Sequence, residues 1–135
     1  MPVSIDWGNS KKTIIHIKFM SPWTWEEYYT ANQNVFDLID SVEHKVCLLI
    51  DFTESNGHLP PSAFTHFRKA ATSFHPRVRV IIVTSPRMML VKMMVSMVQK
   101  IGRVKLRILF AQTTEEAYQV LEHLLDEKPE TIHLR

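Results

Sequence analysis

Apolar and polar positions change period along the chain, and the changes mark its elements. Val3 to Trp7 and Thr13 to Phe19 are β-prone runs separated by Gly8-Asn9-Ser10-Lys11-Lys12, residues that favour a turn, so an N-terminal hairpin is predicted. In the second run Ile15, Ile17 and Phe19 alternate with Ile14, His16 and Lys18. That alternation predicts one face on a core and one partly wet, with His16 at a sheet surface. A helical period follows. Proline at a first-turn position and Thr24 with Glu27 at capping-box spacing predict a helix from near Pro22 to near Val42. Its apolar stripe is Tyr28, Ala31, Val35, Leu38, Ile39 and Val42.

Val46 to Phe52 and Val78 to Thr84 are continuous apolar runs and read as central strands covered on both faces. Between them Phe64, Phe67, Ala70, Ala71 and Phe74 form a helical stripe that opens at Pro60-Pro61. Ser85-Pro86 starts a third helix, Arg87 to Ile101, which Gly102 stops. Here the one-stripe pattern breaks down. Met88, Met89, Leu90, Val91, Met93, Met94, Val95, Met97, Val98 and Ile101 cover most of the circumference, and only Lys92, Ser96, Gln99 and Arg103 form a polar line. Such a helix is either deeply buried or meets something besides its own sheet. Val104 to Phe110 alternates as an edge strand does. Thr113-Thr114-Glu115-Glu116 opens a last helix, and the tail from Pro129 is expected to be loose. Two strands followed by helix and strand in alternation predict an α/β fold: a mixed sheet, mostly parallel, with an N-terminal β-hairpin and four packed helices.

The chain of 135 residues fits one domain, 1–135, with a core over 3–125. Its one cysteine, Cys47, lies inside an apolar run, so an internal disulfide is excluded and a buried thiol is expected. No run reaches the roughly 18 apolar residues of a membrane span and the N-terminus is unlike a signal peptide, which makes a cytoplasmic address the default expectation. The net charge is only +2, yet no Asp or Glu lies between Ser55 and Thr114, where ten Lys and Arg residues fall. That asymmetry marks either an anionic partner or pairing in space with acids of the flanking helices.

Candidate chemistry is sparse. Of the seven histidines, His58, His66 and His75 are spaced too widely for a short ligand motif, so no metal is expected. Phosphate-binding glycine loops and nucleophile elbows are absent, and so is any recognisable nucleic-acid reading module. Asp51 and Thr84 end successive strands, as in phosphoryl-accepting receiver domains. Phe19-Met20-Ser21-Pro22, however, supplies no acids to bind the required cation, and Ala111-Gln112-Thr113 supplies no lysine. Neither a catalytic residue nor a cofactor is expected.

Three features carry a family resemblance: the hairpin, Cys47-Leu48-Leu49-Ile50-Asp51-Phe52-Thr53 as strand and exit, and the closing Leu109-Phe110-Ala111-Gln112-Thr113-Thr114-Glu115-Glu116-Ala117. From Val3 to Leu125 the arrangement resembles the STAS domain family of anti-sigma-factor antagonists, in particular its SpoIIAA-like branch. The resemblance implies a phosphorylated Ser or Thr after the strand, in an Asp-Ser-Ser-Gly-like segment. This chain has Glu54-Ser55-Asn56-Gly57-His58-Leu59-Pro60-Pro61-Ser62 there, with Ser62 the nearest counterpart by position and Ser55 and Thr53 as further candidate phosphoacceptors. The function expected is a non-enzymatic regulatory or scaffold domain that binds a protein partner under phosphorylation control. Its candidate contact residues are Trp23, Trp25, His58, Phe64, Phe67, Met88, Met89, Met93 and Met97. The alternative is an apolar-ligand or lipid-binding protein, with a pocket of a few hundred Å³ near the Met-rich helix. Methionine suits an adaptable contact, so a homodimer through that helix is also expected.

Overall fold

In the computed structural model, the chain is described over residues 2–55, 59–102 and 107–126. Strand β1 (Val3–Trp7) and strand β2 (Ile14–Phe19) are followed by α1 (Trp25–Asp40), β3 (Val46–Asp51) and a short 3₁₀ turn (Thr53–Ser55). Then come α2 (Ala63–Ala71), β4 (Val78–Thr84), α3 (Met88–Gly102), β5 (Arg107–Ala111) and α4 (Thr114–Asp126). The five strands form one mixed sheet in the order β1-β2-β3-β4-β5. β1 pairs antiparallel with β2, and every other pairing is parallel. Hairpin, alternation and four helices all stand as the sequence pattern predicts. The residues 104–106 of the expected last strand, His58 and the tail from Pro129 lie outside the described residues.

Two helix starts differ from expectation for local reasons. Thr24 takes the N-cap of α1: its hydroxyl oxygen accepts from the Glu27 N–H at 3.1 Å, while the Glu27 carboxylate accepts from the Thr24 N–H at 2.9 Å. This reciprocal box satisfies two free donors and fixes the start three residues beyond Pro22. Helix α2 starts at Ala63, after Pro60-Pro61, because Ser62 stands in the left-handed region at φ 65° and cannot be a helical residue.

Topology decides what covers the sheet. Strands β2 to β5 are added in one direction, and right-handed crossovers between parallel neighbours then put α1, α2 and α3 on the same face. Only α4, which follows the last strand, is left for the other face. The first core joins Ile15, Ile17, Leu48 and Ile81 to Val35 and Ile39 of α1 and Val91 of α3. The second joins Ile14, Cys47, Leu49 and Ile82 to Ala117 and Leu121 of α4. Ile14, placed by alternation on the wet face, is fully buried because α4 reaches it. Cys47 is buried as expected, and burial raises its thiol above the usual range although Arg79 acts in the opposite direction.

Helix α4 packs over β3, β4 and β5 and leaves the β1–β2 end of its face less covered. That is where polar side chains gather. No helix among the described residues is long and apolar enough to cross a membrane.

Candidate functional site

On the α4 face, where the cover thins, three residues from three elements form a hydrogen-bonded chain. Asp51 ends β3 and is only 1% exposed, and its Oδ2 lies 2.8 Å from Nε2 of His16 on β2. A carboxylate can only accept, so Nε2 carries the proton; in the neutral imidazole Nδ1 then accepts from the Tyr118 hydroxyl of α4 at 2.9 Å. The other carboxylate oxygen, Oδ1, accepts from both the N–H and the hydroxyl of Thr53, at 2.9 and 2.6 Å. Burial alone would raise the Asp51 pKa, but the hydrogen bonds from His16 and Thr53 prevail and hold the carboxyl below its ordinary range. Burial, followed by the charges of Asp51 and Asp6, raises the Tyr118 phenol, which keeps its proton.

Both carboxylate oxygens of Asp51 are therefore occupied by groups of its own chain. Thr84 stands level with Asp51 across the β3–β4 ladder, and its buried hydroxyl has no hydrogen-bond partner among the described residues. Among the described residues no group of three His, Cys, Asp or Glu could hold a metal ion. The cluster is a clamp tying β2, β3 and α4 together. His16 and Asp51 each carry a signal in the sequence and Tyr118 does not, and only the parallel register of β2 against β3, with α4 laid over it, shows that the three meet.

The segment after β3 holds the three candidate phosphoacceptors in different states. Thr53 is half-buried, with its hydroxyl on Asp51. Ser55 is fully buried and donates to the Phe52 carbonyl at 2.9 Å. Ser62 alone is exposed, and its side chain makes no cap hydrogen bond at the start of α2.

The tryptophans lie inside. Trp23 and Trp25 are buried and meet edge to face, with centroids 4.8 Å apart. The Trp25 indole N–H donates to the Pro61 carbonyl at 2.8 Å and its ring stacks on His66, so it pins the segment before α2 onto α1. Trp23, Trp25 and Phe67 line an apolar cavity of about 80 Å³, partly open, between the three-helix face and its helices. It is smaller than the few hundred Å³ a drug-sized ligand needs. Of the Met-rich helix, Val91 and Val95 reach this cavity, and Met88, Met89, Met93 and Met97 do not; neither does Phe64.

Three of those methionines face away, and Met88 is half-buried. Val91 and Met94 turn inward and are buried, while Met89, Met93 and Met97 are 84%, 55% and 43% exposed. Spaced four apart, they form one outward stripe, which shares its side of the helix with exposed Lys92, Ser96 and Lys100. Lys92 reaches over the Phe110 ring of β5 at 5.5 Å. Neighbouring α2 adds exposed Arg68, while its Lys69 reaches over the Tyr29 ring of α1 at 5.1 Å. Deep burial, one of the two readings open for this helix, therefore fails. Set against known proteins, the chain matches no family model, no curated protein and no solved structure.

Proposed function

We propose that the chain is a non-enzymatic regulatory domain of STAS-like arrangement that docks a protein partner on the outer face of α3. The observation that carries this reading is the stripe of Met89, Met93 and Met97, the exposed large hydrophobic residues among the described part of the chain. None of the three belongs to either hydrophobic core of the described residues, and methionine suits a surface that must adapt to its partner. The face is also basic, with Lys92 and Lys100 on α3 and no acid anywhere between Ser55 and Thr114. An isologous dimer through α3 would set these lysines against their own copies, so the charge pattern favours an acidic partner over a second copy.

Ser62 is the candidate control point. Phosphorylation would place roughly −1.5 to −2 of charge at the N-terminus of α2, which packs against α3, and would alter the basic field an acidic partner meets. The element order supports the STAS-like reading, since a hairpin, alternating helices and strands, and a closing helix are what the resemblance implies.

Photo-crosslinking from position 93 in the native host tests this. One acidic protein should be recovered, and purified protein should bind it. Met93→Lys, which adds an unpaired charge to the contact, should weaken that binding at least tenfold, and higher salt should weaken it too. Binding untouched by both Met89→Lys and Met93→Lys would defeat the proposal. Light scattering at micromolar concentration provides the other arm: a dimer lost in Met93→Lys would assign the face to a second copy instead.

A further inference from the structure

At the end of the sheet away from β5, β1 is an edge strand. Its ladder with β2 is framed by two bonds of 2.7 Å, from the Met20 N–H to the Pro2 carbonyl and from the Gly8 N–H to the Ile14 carbonyl. Bonded and non-bonded pairs alternate along an antiparallel ladder, so the bonded pairs between these two are Ser4 with Lys18 and Asp6 with His16. The N–H and C=O groups of Val3, Ile5 and Trp7 therefore point away from β2, where no other strand of the described sheet takes them up. An edge of this kind is a template for one more strand.

Beside that edge runs a groove of about 720 Å³ between β1 and α1. Its apolar part is Val3 and Ile5 of the strand with Ala31 and Leu38 of the helix. Its charge is all of one sign, since Asp6, Glu26, Glu27 and Asp37 line it and no Lys, Arg or His does. Glu27 is committed to the cap of α1, but Asp6, Glu26 and Asp37 are exposed and form no ion pair with a described residue.

The open backbone groups ask for an extended chain, and the acids ask for basic side chains on it. Residues of an added strand would alternate between the α1 side, where Glu26 and Asp37 stand, and the opposite side, to which alternation assigns Asp6. A second copy of this chain fits poorly, because a two-fold pairing of β1 with β1 would set these acids against their own copies. We infer that the β1 edge docks an extended, lysine- or arginine-rich segment of a partner protein, which adds to the sheet as a further strand while its cations meet Asp6, Glu26 and Asp37. The site is separate from the outer face of α3 and takes the opposite charge.

The test titrates the whole ¹⁵N-labelled chain with the end-blocked peptide Lys-Val-Lys-Val-Lys and reads backbone amide shifts and hydrogen exchange. The amides of Val3, Ile5 and Trp7 should shift and exchange roughly tenfold more slowly, while those of Ser4 and Asp6, already in the ladder, should change least. Glu-Val-Glu-Val-Glu should leave all of them in place. N-methylation of every peptide residue keeps the cations, removes the ladder donors and should abolish binding. Ile5→Pro removes an outward N–H but no bond to β2, and should abolish it too. Should that variant fail to fold, the exposed pair Glu26→Lys and Asp37→Lys should weaken binding at least tenfold. Unmoved amides at about 1 mM peptide would overturn the site. Binding that survives N-methylation would overturn the added strand, and a dimer in light scattering that is lost in Ile5→Pro would assign the edge to a second copy instead.

Discussion

Helices α3 and α4 lie on opposite faces of one sheet and are close in length, at 15 and 13 residues, yet they spend their side chains differently. α4 buries Ala117, Leu121 and Leu124 and turns Glu115, Glu116, Gln119 and Glu122 to solvent, so its sequence is fully accounted for by one sheet face. α3 buries Val91 and Met94 and still turns Met89, Met93 and Met97 outward. A helix lying on one face of a sheet buries one stripe, and α3 carries apolar residues beyond that stripe. The comparison separates residues that hold the fold from residues that the fold carries.

The largest effect belongs to the stripe of α4. Leu121→Ala empties a fully buried position and should cost about 3 kcal/mol, read as a lower urea midpoint with an unchanged slope. Asp51→Ala should cost about 2 kcal/mol, because it strands His16 and Thr53 donors in a buried site. Its pH dependence follows from the direction of the shift. The folded Asp51 pKa lies below the unfolded value of about 3.9, so its contribution is whole above pH 4 and fades as pH falls through the folded value. The stability gap between the unmodified protein and Asp51→Ala should therefore narrow as pH falls below 4. A gap that widens below pH 4 would contradict this account of the clamp.

Gly8→Ala should cost about 1 kcal/mol for a different reason. An added Cβ would stand 2.6 Å from the Tyr118 hydroxyl and 2.9 Å from its ring, forcing the phenol off His16. Tyr118→Phe removes the nearer of those contacts, so the Gly8 substitution should cost less in that background, as thermal melts of the double-mutant cycle would show. The smallest effect is expected on α3: Met93→Ala and Met89→Lys should change stability by less than about 0.5 kcal/mol. A loss at Met93 matching that at Leu121 would erase the distinction between the two helices.

Much of the fold is legible in the sequence because period and punctuation carry it: the Gly8–Lys12 turn, the Thr24–Glu27 box and the apolar runs of β3 and β4 each name their element. What escapes is whatever depends on which elements meet. Ile14 reads as half-wet until α4 is known to lie over it. The clamp of His16, Asp51 and Tyr118 spans 102 positions, and it exists only because β2 and β3 pair in register while α4 returns across them. The Met-rich helix is visible as an anomaly, but which side of it turns outward is set by the strands it connects. The buried Trp23 indole N–H, which has no acceptor among the described residues, has no sequence signal, since a missing partner is a property of the surroundings.

The outward stripe is tested most directly by ¹³C-methyl labelling of methionine, observed in extract from the native host, with Met94 as the internal control. Met94 sits on the same helix and is buried. A partner seated on the outer face should broaden or shift the methyl signals of Met89, Met93 and Met97 and leave that of Met94 in place, and Met93→Lys should remove the effect. Signals of all four that stay unchanged, or that broaden together, would contradict the claim that α3 keeps its outer face for a partner.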